Sequence, residues 1–178
     1  ILKERDLYCV HYAHAATGEL HLRPIIDLKT QEGNKMFRTI ATDIAHLVKK
    51  YKGSLSGEHG DGRLRGEFIP LMIGEHNYEL CKKIKASWDP NLVFNPGKIV
   101  DTPPMDTFLR YMPGYENVEF KTEFNFDKND GILRAAESCN GSGDCRKTEL
   151  SGGTMCPSYM ATKEEKHTTR ARANILRE

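Results

Sequence analysis

A glutamate and a histidine stand side by side in a polar loop rich in glycine. The loop, residues 56–65, reads SGEHGDGRLR and carries Glu58 and His59. Upstream, His14 and His21 lie at the two ends of a short break in an alternating segment. Two imidazoles and one carboxylate are a common ligand set for a divalent ion, and they leave coordination positions open for a substrate.

These residues predict a metal site whose ligands are His14, His21 and Glu58. A tight reversal between the two histidines would bring both imidazoles to one side of a hairpin, and the loop would add its carboxylate. His59, next to the third ligand, would then face a substrate instead of the ion. The glycines allow positive φ angles, so the loop backbone can approach a cofactor or substrate closely.

Each of these residues taken alone has a commoner explanation. A histidine in a strand is more often a satisfied surface or core residue than a metal ligand, and polar glycine loops are mostly turns. His11 also lies on the hairpin, but its odd position against the even position of His14 points it to the other face of a regular strand. We expect three further histidines to be solvated: His46, His76 and His167.

A second group of possible ligands consists of Cys139, Cys145 and Cys156, the last followed by proline. Thiolates in a glycine-rich loop that ends in Cys-Pro are typical of a [4Fe–4S] ligand set, although Ser142 stands where the bacterial ferredoxin spacing has its second cysteine. A zinc knuckle is the main alternative, and three unrelated thiols are the third. Three cysteines do not complete a cluster without an outside ligand.

Hydrophobic periodicity predicts the strands and helices that carry these residues. Residues 7–26 alternate and break once, which predicts a β-hairpin with Leu20 and Leu22 on one face and His21 on the other. Residues 31–52 have helical spacing, and the glycine that follows is placed to end the helix. Residues 67–88 are predicted to be mostly helical, divided by Pro70 and Gly74. The predicted inward stripe of its second part is Tyr78, Cys81, Ile84 and Trp88.

The composition changes after residue 100. Residues 101–134 are rich in proline and aromatic residues and read as a linker, in which the alternating segment 118–126 predicts one strand. A second, cysteine-bearing unit begins at residue 135. The predicted fold class is α+β, with an antiparallel sheet and helices on one of its faces.

Charge and hydropathy exclude several classes of protein. The 178 residues carry a net charge of +1 with both signs interspersed, which argues against general nucleic-acid binding. No apolar run approaches the roughly 20 residues of a membrane helix. The first residues contain neither an initiator methionine nor a signal-peptide core, and the last ones stop inside a helical pattern, so we expect a fragment cut at both ends. We expect a location in the cytoplasm or peripheral to the inner membrane.

Three motifs in this order resemble the C-terminal part of the FAD-linked oxidases of the vanillyl-alcohol oxidase superfamily: YAHAATGELHLRP, GSLSGEHGDGRLRG and WDPNLVFNPGKI. That family includes D-lactate, glycolate and D-2-hydroxyglutarate dehydrogenases. The cysteine-bearing segment resembles the start of the ferredoxin-like domain fused to them in long bacterial FAD/iron–sulfur dehydrogenases. The resemblance implies the C-terminal part of a cap domain over residues 1–100, a linker over 101–134 and the incomplete opening of an α-helical 4Fe–4S ferredoxin-like domain over 135–178.

The resemblance also implies a role for each motif residue. In the metal-using members the positions of His14, His21 and Glu58 bind a zinc-type ion, and the position of His59 is the base that takes the substrate hydroxyl proton. One departure is that the family's Gly-Asp-Gly-Asn between the two histidines is AATGE here, so the acidic residue inside the turn is missing. The implied cofactor-binding residues are Asn95, Gly97 and Lys98 for the flavin, and Cys139, Cys145 and Cys156 for the cluster.

The implied function is oxidation of a D-2-hydroxy acid to the 2-oxo acid, with electrons passing from FAD to iron–sulfur clusters and on to a quinone or redox protein. FAD would be held mainly by a missing N-terminal domain, and a missing C-terminal cysteine-rich region would complete the clusters. The chain alone is therefore expected to be inactive. The alternatives are a non-catalytic iron–sulfur electron-transfer subunit with a docking domain, and a zinc-stabilised binding domain.

Overall fold

A computed structural model describes residues 1–114, 118–153 and 155–177. The chain divides into two compact units, residues 1–115 and residues 116–178. The helices and strands are β1 (Cys9–His14), β2 (Glu19–Pro24), α1 (Gln31–Lys50), α2 (Ile69–Ile73), α3 (Glu75–Trp88), α4 (Ile132–Glu137), α5 (Pro157–Thr162) and α6 (Thr169–Arg177). Short 3-10 turns span Lys3–Arg5, Gly66–Phe68, Asp127–Asn129, Asp144–Arg146, Glu149–Ser151 and Glu165–His167. The small antiparallel sheet with helices confirms the α+β class. The domain bounds read from the sequence stay a prediction.

The first unit opens with the predicted β-hairpin. β1 and β2 pair antiparallel, with Tyr12 opposite His21 and His14 opposite Glu19. The connecting turn is closed by the backbone N–H of Thr17, which donates to the carbonyl of His14 at 3.0 Å. Gly18, the last residue of the turn, has a φ of +71°, a conformation that glycine takes without steric cost. The hairpin prediction is confirmed.

Helix α1 begins and ends close to its predicted bounds. The hydroxyl of Thr30 caps its first turn by accepting the N–H of Gly33 at 3.0 Å. At the other end the N–H of Gly53 donates to the carbonyl of Val48 at 3.0 Å, which turns the chain out of the helix and into the glycine-rich loop. The helix therefore fixes the point from which the loop starts.

A small core holds both ends of that loop. Ala45 of α1, Phe68 and Met105 form its buried centre. Phe37, Ala41, Leu55 and Leu71 pack around them. Full burial of a phenylalanine or methionine side chain, such as Phe68 or Met105, stabilises a fold by roughly 1.5–3 kcal/mol. Because Leu55 precedes the loop and Phe68 follows it, the loop is anchored on both sides.

Helices α2 and α3 are separated at Gly74, which has a φ of +84°, whereas Pro70 lies inside the first turn of α2. The predicted inward stripe of α3 is right at one end only. Tyr78 is buried and its hydroxyl accepts the N–H of Asp101 at 2.9 Å, but Trp88 is 84% exposed. The helical period was read correctly. However, α2 is the helix that α3 packs against, and the side chains of Ile84 and Trp88 in the C-terminal half of α3 remain exposed.

The second unit consists of short helices around two buried thiols. α4 packs against α6, and Cys145, Cys156 and Tyr159 form a buried cluster. The prediction of a strand over residues 118–126 is wrong, because this described segment adopts no regular structure. Its apolar side chains, such as Phe124 at 80%, remain exposed, and the described residues of the second unit include no strand that could share ladder hydrogen bonds with it. Among the described helices none has the length and apolarity needed to cross a membrane.

Candidate metal centre

The hairpin presents three possible ligands on one face. Directly opposed residues of an antiparallel pair share a face, and so do residues two apart on one strand. The pairing of Tyr12 with His21 and of His14 with Glu19 therefore puts His14, Glu19 and His21 on the same side. The two imidazole rings meet edge to face, with centroids 5.0 Å apart. His11 falls on the other face, as expected.

The glycine-rich loop brings Glu58 over this face. The Ser56 hydroxyl donates to the carbonyl of Glu58 at 2.9 Å, and the Arg65 guanidinium donates to the carbonyl of Gly60 at 2.6 Å. Between these two ties His59 has a φ of +64°. The left-handed conformation costs a non-glycine residue roughly 1–2 kcal/mol, so the loop bonds offset this strain at a residue predicted to do chemistry.

The two carboxylate oxygens of Glu58 face different residues: one faces the hairpin histidines and the other faces His59. Its Oε1 lies 3.3 Å from Nε2 of His14 and 3.1 Å from Nε2 of His21. Its Oε2 lies 3.3 Å from Nε2 of His59. The His21 side chain is 30% exposed and that of His59 is 86% exposed. The predicted ligands thus lie together, and the predicted base lies beside them on the solvent side.

A fourth possible ligand, Glu19, was missed by the sequence reasoning. Its Oε1 lies 3.8 Å from Nε2 of His21, and its side chain is only 17% exposed. One donor atom from each of His14, Glu19, His21 and Glu58 lies within 4.8 Å of all the others, and no other such group exists among the residues that the structure describes. The signal was available, because Glu19 and His21 share parity on β2.

The spacing of these donors fits a divalent ion. Around a tetrahedral ion with ligands near 2.1 Å, the ligand atoms lie about 3.4 Å from one another. The separations of 3.3 Å and 3.1 Å between Glu58 Oε1 and the two imidazole nitrogens are close to that value. Nitrogen and oxygen donors of this kind suit zinc and other first-row divalent ions.

The segment predicted to return to a flavin is tied to the same loop. The N–H of Ile99 donates to the carbonyl of Gly62 at 3.1 Å. Upstream, the Asp89 carboxylate accepts the N–H groups of Val93 and Phe94 at 2.8 and 3.0 Å. A hydrogen bond from Lys85, together with these two, holds the pKa of Asp89 below its usual range. The turn between these anchors carries the three predicted residues Asn95, Gly97 and Lys98, with the first and last exposed.

The three clustered cysteines all interact with the start of α6. The N–H of Tyr159 and the Thr169 side chain donate to Cys156 and hold the pKa of its thiol below the usual value. Glu165 raises the pKa of Arg170, and the electrostatic attraction of Cys145 and Cys139 adds to this rise. Thiolates are the form that binds metal, so the lowered pKa of Cys156 favours its ligand state.

Comparison with known proteins gives two results. A family model matches most of the first unit, and individual relatives align with nearly the whole chain. A family model described as FAD linked oxidases, C-terminal domain, matches residues 1–99. The chain is 33% identical over 170 residues to the D-2-hydroxyglutarate dehydrogenase of Pseudomonas putida, an alignment that covers 94% of this chain and 16% of that protein. The same-named protein of Escherichia coli is 33% identical over 172 residues, with the same coverage of 94% and 16%.

A third relative matches the first part of the chain only. The mitochondrial D-lactate dehydrogenase [cytochrome] of Arabidopsis thaliana is 29% identical over 99 residues, which is 56% of this chain and 18% of that protein. The chain therefore spans less than a fifth of the length of each of these three relatives. No solved structure matches the chain.

Proposed function

Because the chain belongs to the family of FAD-linked oxidase C-terminal domains, we propose that it carries the metal ligands and the proton acceptor of a flavin-dependent 2-hydroxy-acid dehydrogenase. The observation that supports this proposal is that donor atoms of His14, His21 and Glu58 lie within 4.8 Å of one another, with His59 directly beside Glu58. Oxidation of a hydroxy acid needs one group that fixes the substrate oxygens and a second group that takes the hydroxyl proton.

The proposed substrate class is a D-2-hydroxy acid of the D-2-hydroxyglutarate type. The two bacterial relatives named for this substrate align over 94% of the chain, including the cysteine-bearing unit. The D-lactate relative aligns over 56% of it. The wider alignment favours a substrate of the D-2-hydroxyglutarate type over D-lactate. The first unit, which all three alignments include, accounts for the similarity to both kinds of dehydrogenase.

Each residue has a separate task in this proposal. His14, His21 and Glu58 hold the ion in the open face of the hairpin. The second oxygen of Glu58 lies 3.3 Å from Nε2 of His59 and orients that ring. When bound, the ion polarises the substrate oxygens and the flavin accepts the electrons released at the carbon.

His59 takes the proton in this scheme. The two-electron oxidation of R–CHOH–COO⁻ to R–CO–COO⁻ releases one proton from the hydroxyl and one hydrogen with two electrons from the carbon. The ring nitrogen of His59 that does not face Glu58 accepts the first, because imidazole is well suited to proton exchange near neutral pH. Its exposure of 86% leaves room for a substrate on the side away from the hairpin.

The flavin would meet this chain at the turn that carries Asn95, Gly97 and Lys98. Its polar side chains are exposed, and the bond from Ile99 to Gly62 joins it to the loop of Glu58 and His59. This hydrogen bond would hold the flavin-facing turn and His59 at a fixed relative position. Since the chain matches about one-sixth of the length of its bacterial relatives, we propose that other domains supply most of the flavin contacts.

Anaerobic reduction of the flavin tests the proposed activity. We expect D-2-hydroxyglutarate to bleach the bound FAD of the complete dehydrogenase, while its L enantiomer does not. Chelation of the ion should stop this bleaching and leave FAD bound, and added Zn²⁺ should restore it. Absorbance of the oxidised flavin gives the rate. Equal rates with and without the ion would contradict a role for the metal site.

A second candidate function, electron transfer through an iron–sulfur cluster, is favoured by the second unit. Cys139, Cys145 and Cys156 all interact with residues at the start of α6, and two of them are buried. A non-catalytic electron carrier would need only this unit. We propose that the three thiolates contribute to a [4Fe–4S] cluster whose remaining ligand comes from elsewhere.

Reconstitution of the chain with iron and sulfide under anaerobic conditions tests the cluster. We expect a brown chromophore that is lost in Cys156→Ser, since this thiol is the most buried of the three. Cys81→Ser, a change in the first unit, serves as the matched control and should keep the colour. Stoichiometric zinc without a chromophore would favour the zinc-stabilised alternative, and neither metal would mean three unrelated thiols.

A further inference from the structure

We propose that Glu19 is a fourth ligand of the ion, so that the centre is a site of two histidines and two glutamates. This inference rests on the proposed metal site and extends it by one residue. It has a direct geometric basis, because the Glu19 carboxylate belongs to the group of donors that lie within 4.8 Å of one another.

Register and burial keep the Glu19 carboxylate on the site. Glu19 is the first residue of β2 and pairs with His14, while His21 follows it two residues later on the same face. Its side chain is 17% exposed, compared with 39% for that of Glu58. The carboxylate faces Nε2 of His21 at 3.8 Å, and an acidic side chain drawn this far from water is stabilised by a partner of positive charge. A divalent ion would be that partner.

The backbone of the glycine-rich loop is shaped around this carboxylate. A Cβ atom built on Gly57 would lie 2.4 Å from Cδ and 2.5 Å from Oε1 of Glu19. Gly57 does not have a left-handed φ, so the demand for glycine comes from the contact with Glu19 and not from the conformation. The residue before Glu58 thus leaves space for a second carboxylate directly beside the first.

Two carboxylates change which ions the centre prefers. Their charges together balance that of a divalent ion, and oxygen donors favour harder ions such as Mn²⁺ relative to a site with more nitrogen ligands. We therefore expect Glu19 to contribute more to the binding of Mn²⁺ than to the binding of Zn²⁺.

Titration of the 178-residue chain with Zn²⁺ and Mn²⁺ by calorimetry tests the assignment. Glu19→Ala should weaken Zn²⁺ binding by about 100-fold, at the upper end of losses seen when groups supporting a metal are removed, and Mn²⁺ binding by more. Glu32→Ala, which removes an exposed carboxylate from the first turn of α1, is the matched control and should bind both ions as the parent does.

A double-mutant cycle with Gly57→Ala distinguishes displacement of the Glu19 carboxylate from a general distortion of the loop. Gly57→Ala alone should weaken Zn²⁺ binding by about 10-fold or more, because the new methyl group displaces the Glu19 carboxylate. In the Glu19→Ala background the same change should have no further effect, since the atoms it meets are gone. The d–d absorption of bound Co²⁺ should change in Glu19→Ala and report the lost ligand directly.

The outcomes distinguish this inference from the proposed metal site. If the parent chain binds Zn²⁺ and Glu19→Ala binds it equally well with the same Co²⁺ spectrum, Glu19 is not a ligand and the three-ligand site stands. If the parent chain binds neither ion, the metal site itself fails. Should Gly57→Ala not fold, Glu19→Ala still decides the question, because it only shortens a side chain.

Discussion

Replacing His59 by glutamine in the proposed dehydrogenase is expected to lower kcat by about 10²–10⁴-fold and to leave the bound metal unchanged. The imidazole is 86% exposed and is not one of the donors grouped around the site, so its loss opens no ligand position. Glutamine keeps the polar character and similar length of the side chain but does not accept a proton at neutral pH. The chemical step should therefore slow while substrate and ion still bind.

The left-handed backbone at this residue calls for a matched control. His59 has a φ of +64°, and His59→Gln keeps a side chain at this strained position, so unfolding by urea should begin at the same denaturant concentration as in the parent. His11→Gln, on the opposite face of the hairpin, should keep full activity. A fall in metal content together with activity in His59→Gln would make His59 a ligand and contradict its assignment as base.

Removal of the Glu58 carboxylate is expected to abolish metal binding and turnover together. Its Oε1 lies 3.3 and 3.1 Å from the nitrogens of His14 and His21, so Glu58→Ala takes away the donor shared by both sides of the site. We expect the affinity of the 178-residue chain for Zn²⁺ to fall by at least about 100-fold. Metal analysis after dialysis and calorimetric titration measure the loss.

A neighbouring acid in the same loop provides the comparison for Glu58. Asp61→Ala removes a carboxylate three residues away that does not belong to the donor group, and it should keep both metal and activity. His14→Ala should behave as Glu58→Ala does, because it removes another ligand. A Glu58→Ala variant that retains a full equivalent of Zn²⁺ would contradict the site.

The sequence was sufficient to predict the parts of the site that depend on local periodicity. The alternation of residues 7–26 correctly put His21 and Leu22 on opposite faces, since a strand has a side-chain period of two. The same rule would have found Glu19, two residues before His21. The family motif implies an acid inside the turn, whereas Glu19 is the first residue of β2.

Predictions that depend on tertiary partners were less successful. Trp88 fits the helical period of α3 yet is 84% exposed, because the period identifies a face and not what covers it. The alternation of residues 118–126 is that of a strand, but a strand needs a neighbour for its hydrogen bonds. The approach of Gly57 to Glu19 joins residues far apart in sequence, and no local pattern encodes it.

The length of the turn between β1 and β2 is constrained by the proposed metal site. Residues 15–18 set the pairing of His14 with Glu19. Because neighbouring side chains alternate between faces, a deletion or insertion there that slid β2 by one position would carry His21 to the opposite face from His14. An exposed loop usually tolerates such changes in length. Here the number of residues between the two histidines is constrained. Related chains that keep the metal should therefore vary the identity of these turn residues much more freely than their number.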